Sequence, residues 1–190
     1  MKIVCIGSST VNGFPLRRSQ SWPSVLASLT GQVIINKGVN GSTSSDMLNR
    51  FPKDVLLHKP QIVLIMAGTN DFILKLNSPE GVFANVIAMI KLAQFNNIKP
   101  IIVTSLPIDV TQAETSWAIG SGIDYACVQS ELLVLHDLII QYSKAYGIEL
   151  SDFYQLVFDL MEKESSKELF MDGIHPTAAV HELLARSIIF

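Results

Sequence analysis

Two kinds of segment alternate along the chain. Short apolar runs rich in β-branched residues occur at 2–6, 32–35, 61–66, 100–104 and 148–150. The third, Ile62-Val63-Leu64-Ile65-Met66, is apolar at every position, the mark of a parallel strand covered by helices on both faces. Between the runs the spacing becomes helical. Val82, Phe83, Val86, Ile87, Ile90 and Ala93 recur at three- and four-residue steps and share one helix face, as do Tyr125, Val128, Leu132, Leu135, Ile139 and Tyr142. Gly31 stands where a helix C-terminus needs a left-handed residue, and Pro60 and Pro100 precede or open strands. This alternation predicts an α/β protein, a three-layer α/β/α sandwich on a parallel sheet, wound right-handedly. One stretch, 105–122, holds Pro107, Trp117, Gly120 and Gly122 and has neither period, so it is expected to be an irregular lid or binding loop.

Length and composition narrow this picture. A chain of 190 residues is the size of one domain, so residues 1–190 are expected to fold as one unit. At 48% hydrophobic and 16% charged, it has the opposite balance to a disordered protein. The net charge is −3, and no basic run exceeds the pair Arg17-Arg18, which argues against nucleic acid as a partner. Cys5 and Cys127 belong to no metal-binding spacing and lie in apolar segments, so both are expected to be free, buried thiols. The first residues do not form a signal-peptide pattern, and no apolar run is long enough for a transmembrane helix. A soluble, cytoplasmic protein is therefore expected.

In an open parallel sheet, ligands sit outside the carboxyl ends of the strands. The segments leaving the first three strands are small, polar and glycine-containing: Gly7-Ser8-Ser9-Thr10 to Gly13, Asn36 to Thr43, and Gly68-Thr69-Asn70-Asp71. A fourth such segment, Asp172-Gly173-Ile174-His175-Pro176, precedes the last helix. Ser9, at a strand-to-helix turn, exposes a hydroxyl that a base could activate. His175 is the candidate base, because a carboxylate three residues earlier, Asp172, can hold its Nδ1–H and leave Nε2 to take the serine proton. The Asn70 amide, the Ser9 N–H and the Gly41 N–H, which can come close because no Cβ intervenes, offer three donors to a developing oxyanion. One such donor is worth roughly 3–4 kcal/mol.

As a set, these residues resemble the SGNH (GDSL-like) serine esterases and lipases, and the resemblance runs from the first strand to the last helix. The family's first block is similar to Gly7-Ser8-Ser9 through Gly13, and its second to Asn36 through Thr43. Its Gly-x-Asn-Asp block is matched in full by Gly68 to Asp71, and its Asp-x-x-His-Pro block by Asp172 to Pro176. In block one the family's acidic residue is Ser8 here. In the family that carboxylate supports the nucleophile loop and is not a triad member. The resemblance implies a five-stranded parallel sheet in flavodoxin-like order, with Ser9, His175 and Asp172 as the triad. It also implies Ser9, Gly41 and Asn70 as the oxyanion hole, and a reaction that needs no metal or cofactor. The partner it implies is a small-molecule ester: an acyl ester, an acetylated sugar or a lysophospholipid. The small size of the chain points to a compact, rather open site and so favours short acyl or acetyl groups.

Other residues carry plainer expectations. Ser8, Thr10, Trp117 and Ile174 are candidates for substrate contact. Asp71 is expected to brace its loop, His58 to lie at the surface, and His136 and His181 to be ordinary helix histidines. The apolar end Ser187-Ile188-Ile189-Phe190 could pack against a second subunit. Two rival readings are a flavodoxin-like phosphate or nucleotide module, in which residues 7–13 cradle a phosphate, and a catalytically weakened ligand-binding relative. The first gives no reason for the Asp172-x-x-His175 pair.

Overall fold

A computed structural model describes residues 1–117 and 122–188. Along the chain lie β1 (Lys2–Gly7), α1 (Ser9–Asn12), α2 (Trp22–Thr30), β2 (Val33–Gly38), α3 (Ser44–Asp54), β3 (Ile62–Ile65), α4 (Thr69–Ile73) and α5 (Pro79–Phe95). Next come β4 (Lys99–Val103), α6 (Val110–Ser116), α7 (Tyr125–Tyr146), β5 (Glu149–Ser151), α8 (Phe153–Met161), α9 (Ser166–Leu169) and α10 (Ala178–Ser187). The five strands pair in parallel in the order β2-β1-β3-β4-β5, the flavodoxin-like order.

Strand alternation divides the core into two layers. Val4, Ile6, Val63, Ile65 and Ile102 face one layer, where Met47 and Phe51 of α3, Val86 and Ile90 of α5, and Leu132 and Leu135 of α7 cover them. Ile3, Cys5, Ile62, Leu64, Ile101 and Val103 face the other, under Trp22 and Leu26 of α2, Phe153 and Val157 of α8, and Val180 and Leu184 of α10. Apolar residues at both parities of a strand are what a sheet buried on both faces requires. Helix ends obey local chemistry. Gly31 and Gly147 take left-handed φ values of 66° and 63° after α2 and α7. Thr43 and Asp46 form a reciprocal capping box at the start of α3.

Two expectations are corrected. The 105–122 stretch is not irregular throughout, because α6 occupies Val110–Ser116 with Asp109 as its cap, its side chain accepting from the Gln112 N–H. Gly120, in the same stretch, lies outside the described residues. Cys127 is exposed while Cys5 is buried, because α7 turns Tyr125 and Val128 inward and leaves Cys127 on the opposite face. At the C-terminus, Ile188 packs into this chain's own second layer, and Ile189 and Phe190 lie outside the described residues.

Candidate active site

Strand order reverses between β1 and β3, and the segments leaving those two strands open into one crevice. The turn after β1 becomes α1, with Ser9 as its first residue. Glycines make the fit possible at two points. A Cβ at Gly7 would lie 2.2 Å from Val11 Cγ2, and one at Gly38 would lie 2.1 Å from the Asn12 nitrogen. Asn36 of β2 fastens the same turn: its Nδ2 donates to the Val11 carbonyl at 2.7 Å, and its Oδ1 accepts from the Gly38 N–H at 2.9 Å.

The Asp172–His175 segment reaches this turn from far along the chain. His175 Nε2 lies 3.0 Å from Ser9 Oγ, a contact spanning 166 residues of sequence. On the other side of the ring, Nδ1 lies 2.7 Å from Asp172 Oδ2. Asp172 Oδ1 accepts the backbone N–H groups of His175 at 2.8 Å and Ile174 at 3.0 Å. Burial acts to raise the Asp172 carboxyl; the hydrogen bond from the His175 ring, the backbone N–H bonds and the imidazole charge outweigh it and hold it below its ordinary value. An ionised carboxylate only accepts, so Nδ1 carries the ring proton and Nε2 presents a lone pair to the serine hydroxyl. His175 is 7% exposed, with the Phe14 ring edge-on to its imidazole at 5.0 Å and the Trp117 ring at 6.4 Å.

The candidate oxyanion donors are fixed by a second set of bonds. Asn70, in the first turn of α4, donates through Nδ2 to the Ser42 carbonyl at 3.1 Å and lines the cleft, so its amide keeps a second N–H for an acceptor there. Asp71 is 1% exposed; its carboxylate accepts from the Ser44 N–H at 2.9 Å and the Ser44 hydroxyl at 2.6 Å, bracing α4 against the start of α3 as expected. Desolvation raises the Asp71 carboxyl above its ordinary value, against those two bonds. Gly41 lies in the turn closed by the Ser42 N–H on the Val39 carbonyl at 3.1 Å. Its φ of 75° calls for glycine, and nothing lies within 4 Å of an added Cβ.

A cleft of about 220 Å³ opens beside Ser9, Asn70 and His175. Trp117 and Ile174 line it, together with Thr69, Ile73, Ile123 and Tyr125, which the motifs in the sequence do not single out. Ser8 and Thr10 are not among its lining residues. Ser8 is the residue before α1, its carbonyl taken by the Asn12 N–H, and Thr10 is buried at 7% exposure. The segment bearing Trp117 is tied to the His175 loop. The Asp109 N–H donates to the Gly173 carbonyl at 2.8 Å, and a Cβ at Gly173 would lie 2.4 Å from the Ala113 nitrogen. His136 is not an unremarkable helix residue, for its Nε2 lies 3.0 Å from Asp152 Oδ1, just after β5, and its ring stacks on Tyr154. That pair is absent from the cleft lining.

Comparison with known proteins adds to this geometry. The profile of the GDSL-like Lipase/Acylhydrolase family matches residues 5–183. An arylesterase of Vibrio mimicus is 33% identical over 96 residues, 48% of this chain and 48% of its own length. An uncharacterised lipoprotein of Bacillus subtilis (strain 168) is 32% identical over 120 residues, 56% of this chain and 49% of its own. The chain thus spans about half the length of these curated relatives. The crystal structure of a GDSL-like lipase from Bacteroides thetaiotaomicron VPI-5482 superposes with a TM-score of 0.77 at 26% identity, covering 97% of this chain and 84% of that one.

Proposed function

The chain belongs to the GDSL-like lipase/acylhydrolase family, and from that premise we propose that it is a serine esterase acting on carboxylic esters, with short acyl or acetyl esters favoured. The observation that carries the reading is the unbroken chain of contacts from Ser9 Oγ through the His175 ring to the Asp172 carboxylate. Ser9 Oγ attacks the ester carbonyl as His175 Nε2 takes its proton, and Asp172 holds the ring and stabilises the imidazolium. The carbonyl oxygen becomes an oxyanion facing the Ser9 and Gly41 N–H groups and the second Asn70 amide hydrogen. Collapse of this intermediate breaks the ester C–O bond, and the imidazolium returns its proton to the departing alcohol. Water, deprotonated by the same nitrogen, then releases the acid from Ser9.

A cleft of about 220 Å³ with isoleucine and aromatic walls supports a small apolar acyl or alcohol group. The arylesterase among the relatives supports ester chemistry in the same family. The test is hydrolysis of p-nitrophenyl esters from acetate to palmitate, and of acetylated xylan, by the wild type, Ser9→Ala and Ser8→Ala, with fluorophosphonate labelling alongside. Ser9→Ala is expected to lose activity and label while Ser8→Ala keeps both. The reverse pattern overturns the choice of nucleophile, and an inert, unlabelled wild type overturns the enzyme reading. Among the described residues no helix is long and apolar enough to cross a membrane. A cytoplasmic location is proposed on the same footing, and because one relative is a lipoprotein, cell fractionation is its test.

A further inference from the structure

We propose that Arg50 is the positioning residue of the oxyanion site, a role that rests on the esterase reading above. Arg50 lies in α3, in no recognisable motif, with its side chain 17% exposed. Its Nη2 donates to the Gly7 carbonyl at 2.8 Å and to Ser42 Oγ at 3.3 Å. Its Nη1 donates to the Lys37 carbonyl at 2.9 Å and to Asp54 Oδ2 at 2.7 Å. These acceptors come from the end of β1, the turn after β2, the end of β2 and α3 itself.

Each of the first three leads to an oxyanion donor. The Gly7 carbonyl, which also accepts the Val39 N–H at 3.1 Å, fixes the Gly7–Ser8 peptide plane, directly before the peptide that carries the Ser9 N–H and whose Ser8 carbonyl the Asn12 N–H holds at 3.0 Å. Ser42 comes directly after Gly41 and is held on three sides: its N–H by the Val39 carbonyl, its hydroxyl by Arg50, and its carbonyl by Asn70 Nδ2. The Lys37 carbonyl anchors the strand end from which the Gly41 turn departs. One guanidinium therefore stands behind all three donors without entering the cleft, for Arg50 is not among the cleft-lining residues.

Only arginine suits this position. Its planar fork presents donors in two directions and keeps its charge, whereas a lysine ammonium is a single point at the end of a flexible stem. Asp54, which also meets Lys37 Nζ at 3.4 Å, balances the charge inside a partly buried site. Oxyanion stabilisation depends on dipoles set in place before the reaction, so a brace of this kind acts on the transition state more than on the bound ester.

The test compares wild type, Arg50→Lys, Arg50→Met and Ser42→Ala on p-nitrophenyl butyrate, with inhibition by an alkylboronic acid and melting temperatures alongside. The boronic acid adds Ser9 Oγ to boron and presents a tetrahedral anion to the oxyanion donors. Arg50→Met is expected to lower kcat about 10- to 100-fold with KM within about threefold, and to weaken boronate inhibition by a similar factor. Arg50→Lys should recover part of the loss. Ser42→Ala should give a smaller one. A kcat for Arg50→Met within about twofold of wild type overturns the proposal, as does a lowered melting temperature with boronate inhibition unchanged. If Arg50→Met does not fold, wild-type kcat in both Arg50→Lys and Ser42→Ala overturns it. A wild type inert on every ester overturns the esterase reading and this inference together; an active wild type with unaltered variants overturns this inference alone.

Discussion

Gly38 and Asn12 pack backbone against backbone: a Cβ on Gly38 would sit 2.1 Å from the Asn12 nitrogen and 2.7 Å from the Val11 carbonyl carbon. The end of β2 thus serves as the floor on which the Ser9 turn rests. Gly38→Ala must push α1 away from that floor. Expected outcomes are a stability loss of about 1–3 kcal/mol, as for overpacking elsewhere, and a fall in kcat of about tenfold or more, because the Ser9–His175 distance opens. Gly31→Ala is the matched control. Its φ of 66° makes alanine strained, but nothing lies within 4 Å of the new methyl, so stability falls while kcat holds. Thermal melts and ester kinetics on both variants check the pair. Equal kcat values in the two would remove the floor role.

Trp117 is 41% exposed at the mouth of the cleft, with its ring 6.4 Å from the His175 ring. Its ring forms part of the cleft wall, so its contribution is expected to be to binding rather than to the chemical step. Trp117→Ala is expected to raise KM for p-nitrophenyl butyrate about 3- to 10-fold, with kcat within about twofold. A fall in kcat with KM unchanged would place Trp117 in support of the His175 loop instead.

How much of this was legible in the sequence depends on the kind of force that places each residue. Parallel strands advertise themselves through unbroken apolar runs, so 61–66 anticipated β3 (Ile62–Ile65) closely. Ser9, Asn70, Asp172 and His175 stand in short motifs whose chemistry is readable. The fold lines one cleft with Ser9, Asn70 and His175 and sets Asp172 directly behind the imidazole. Arg50 could not be read: a charged residue in an amphipathic helix has the same appearance whether it faces water or the ends of two strands. Cys127 misled for a related reason. Its neighbours are apolar, but helix phase, not local hydropathy, decides which face is buried. The α6 segment was missed because Val110–Ser116 has little apolar periodicity and is held by its Asp109 cap and by bonds to Gly173 and Phe170.

Asp172 is asked to do two things, to fix the ring tautomer and to steady the imidazolium, and Asp172→Asn separates them from simple packing. An amide presents its oxygen or its NH₂ to Nδ1 without a charge, and the NH₂ face would force the proton onto Nε2, where it faces Ser9. A fall in kcat of roughly 10³- to 10⁴-fold at neutral pH is expected, with KM little changed. Fluorophosphonate labelling should slow in parallel. Full activity in the asparagine variant would remove Asp172 from the triad.

His181 gives the molecule an acid sensitivity distinct from that of Asp172. Its side chain has no exposed surface, its Nδ1 accepts the Trp22 N–H at 3.2 Å, and Nε2 has no partner among the described residues. Desolvation, with a smaller push from the His175 charge, lowers it from 6.5 to about 4. The folded protein therefore declines a proton that the unfolded chain takes up between those two values. By linkage the contribution is fully present above pH 6.5 and drains away as pH falls towards 4, a loss of about 3 kcal/mol across the window. Asp172, held below its ordinary carboxylate value, behaves differently. Its stabilisation is present above 3.8 and is lost only as pH falls further, so the two windows do not overlap. His181→Gln keeps an acceptor for the Trp22 N–H but cannot titrate. Urea unfolding at pH 7.5, 5.5 and 4.5 should show the wild type losing stability relative to the glutamine variant as pH falls, while the raised His136 and Asp71 groups contribute equally to both. Parallel curves would mean that the acid sensitivity comes from elsewhere in the fold.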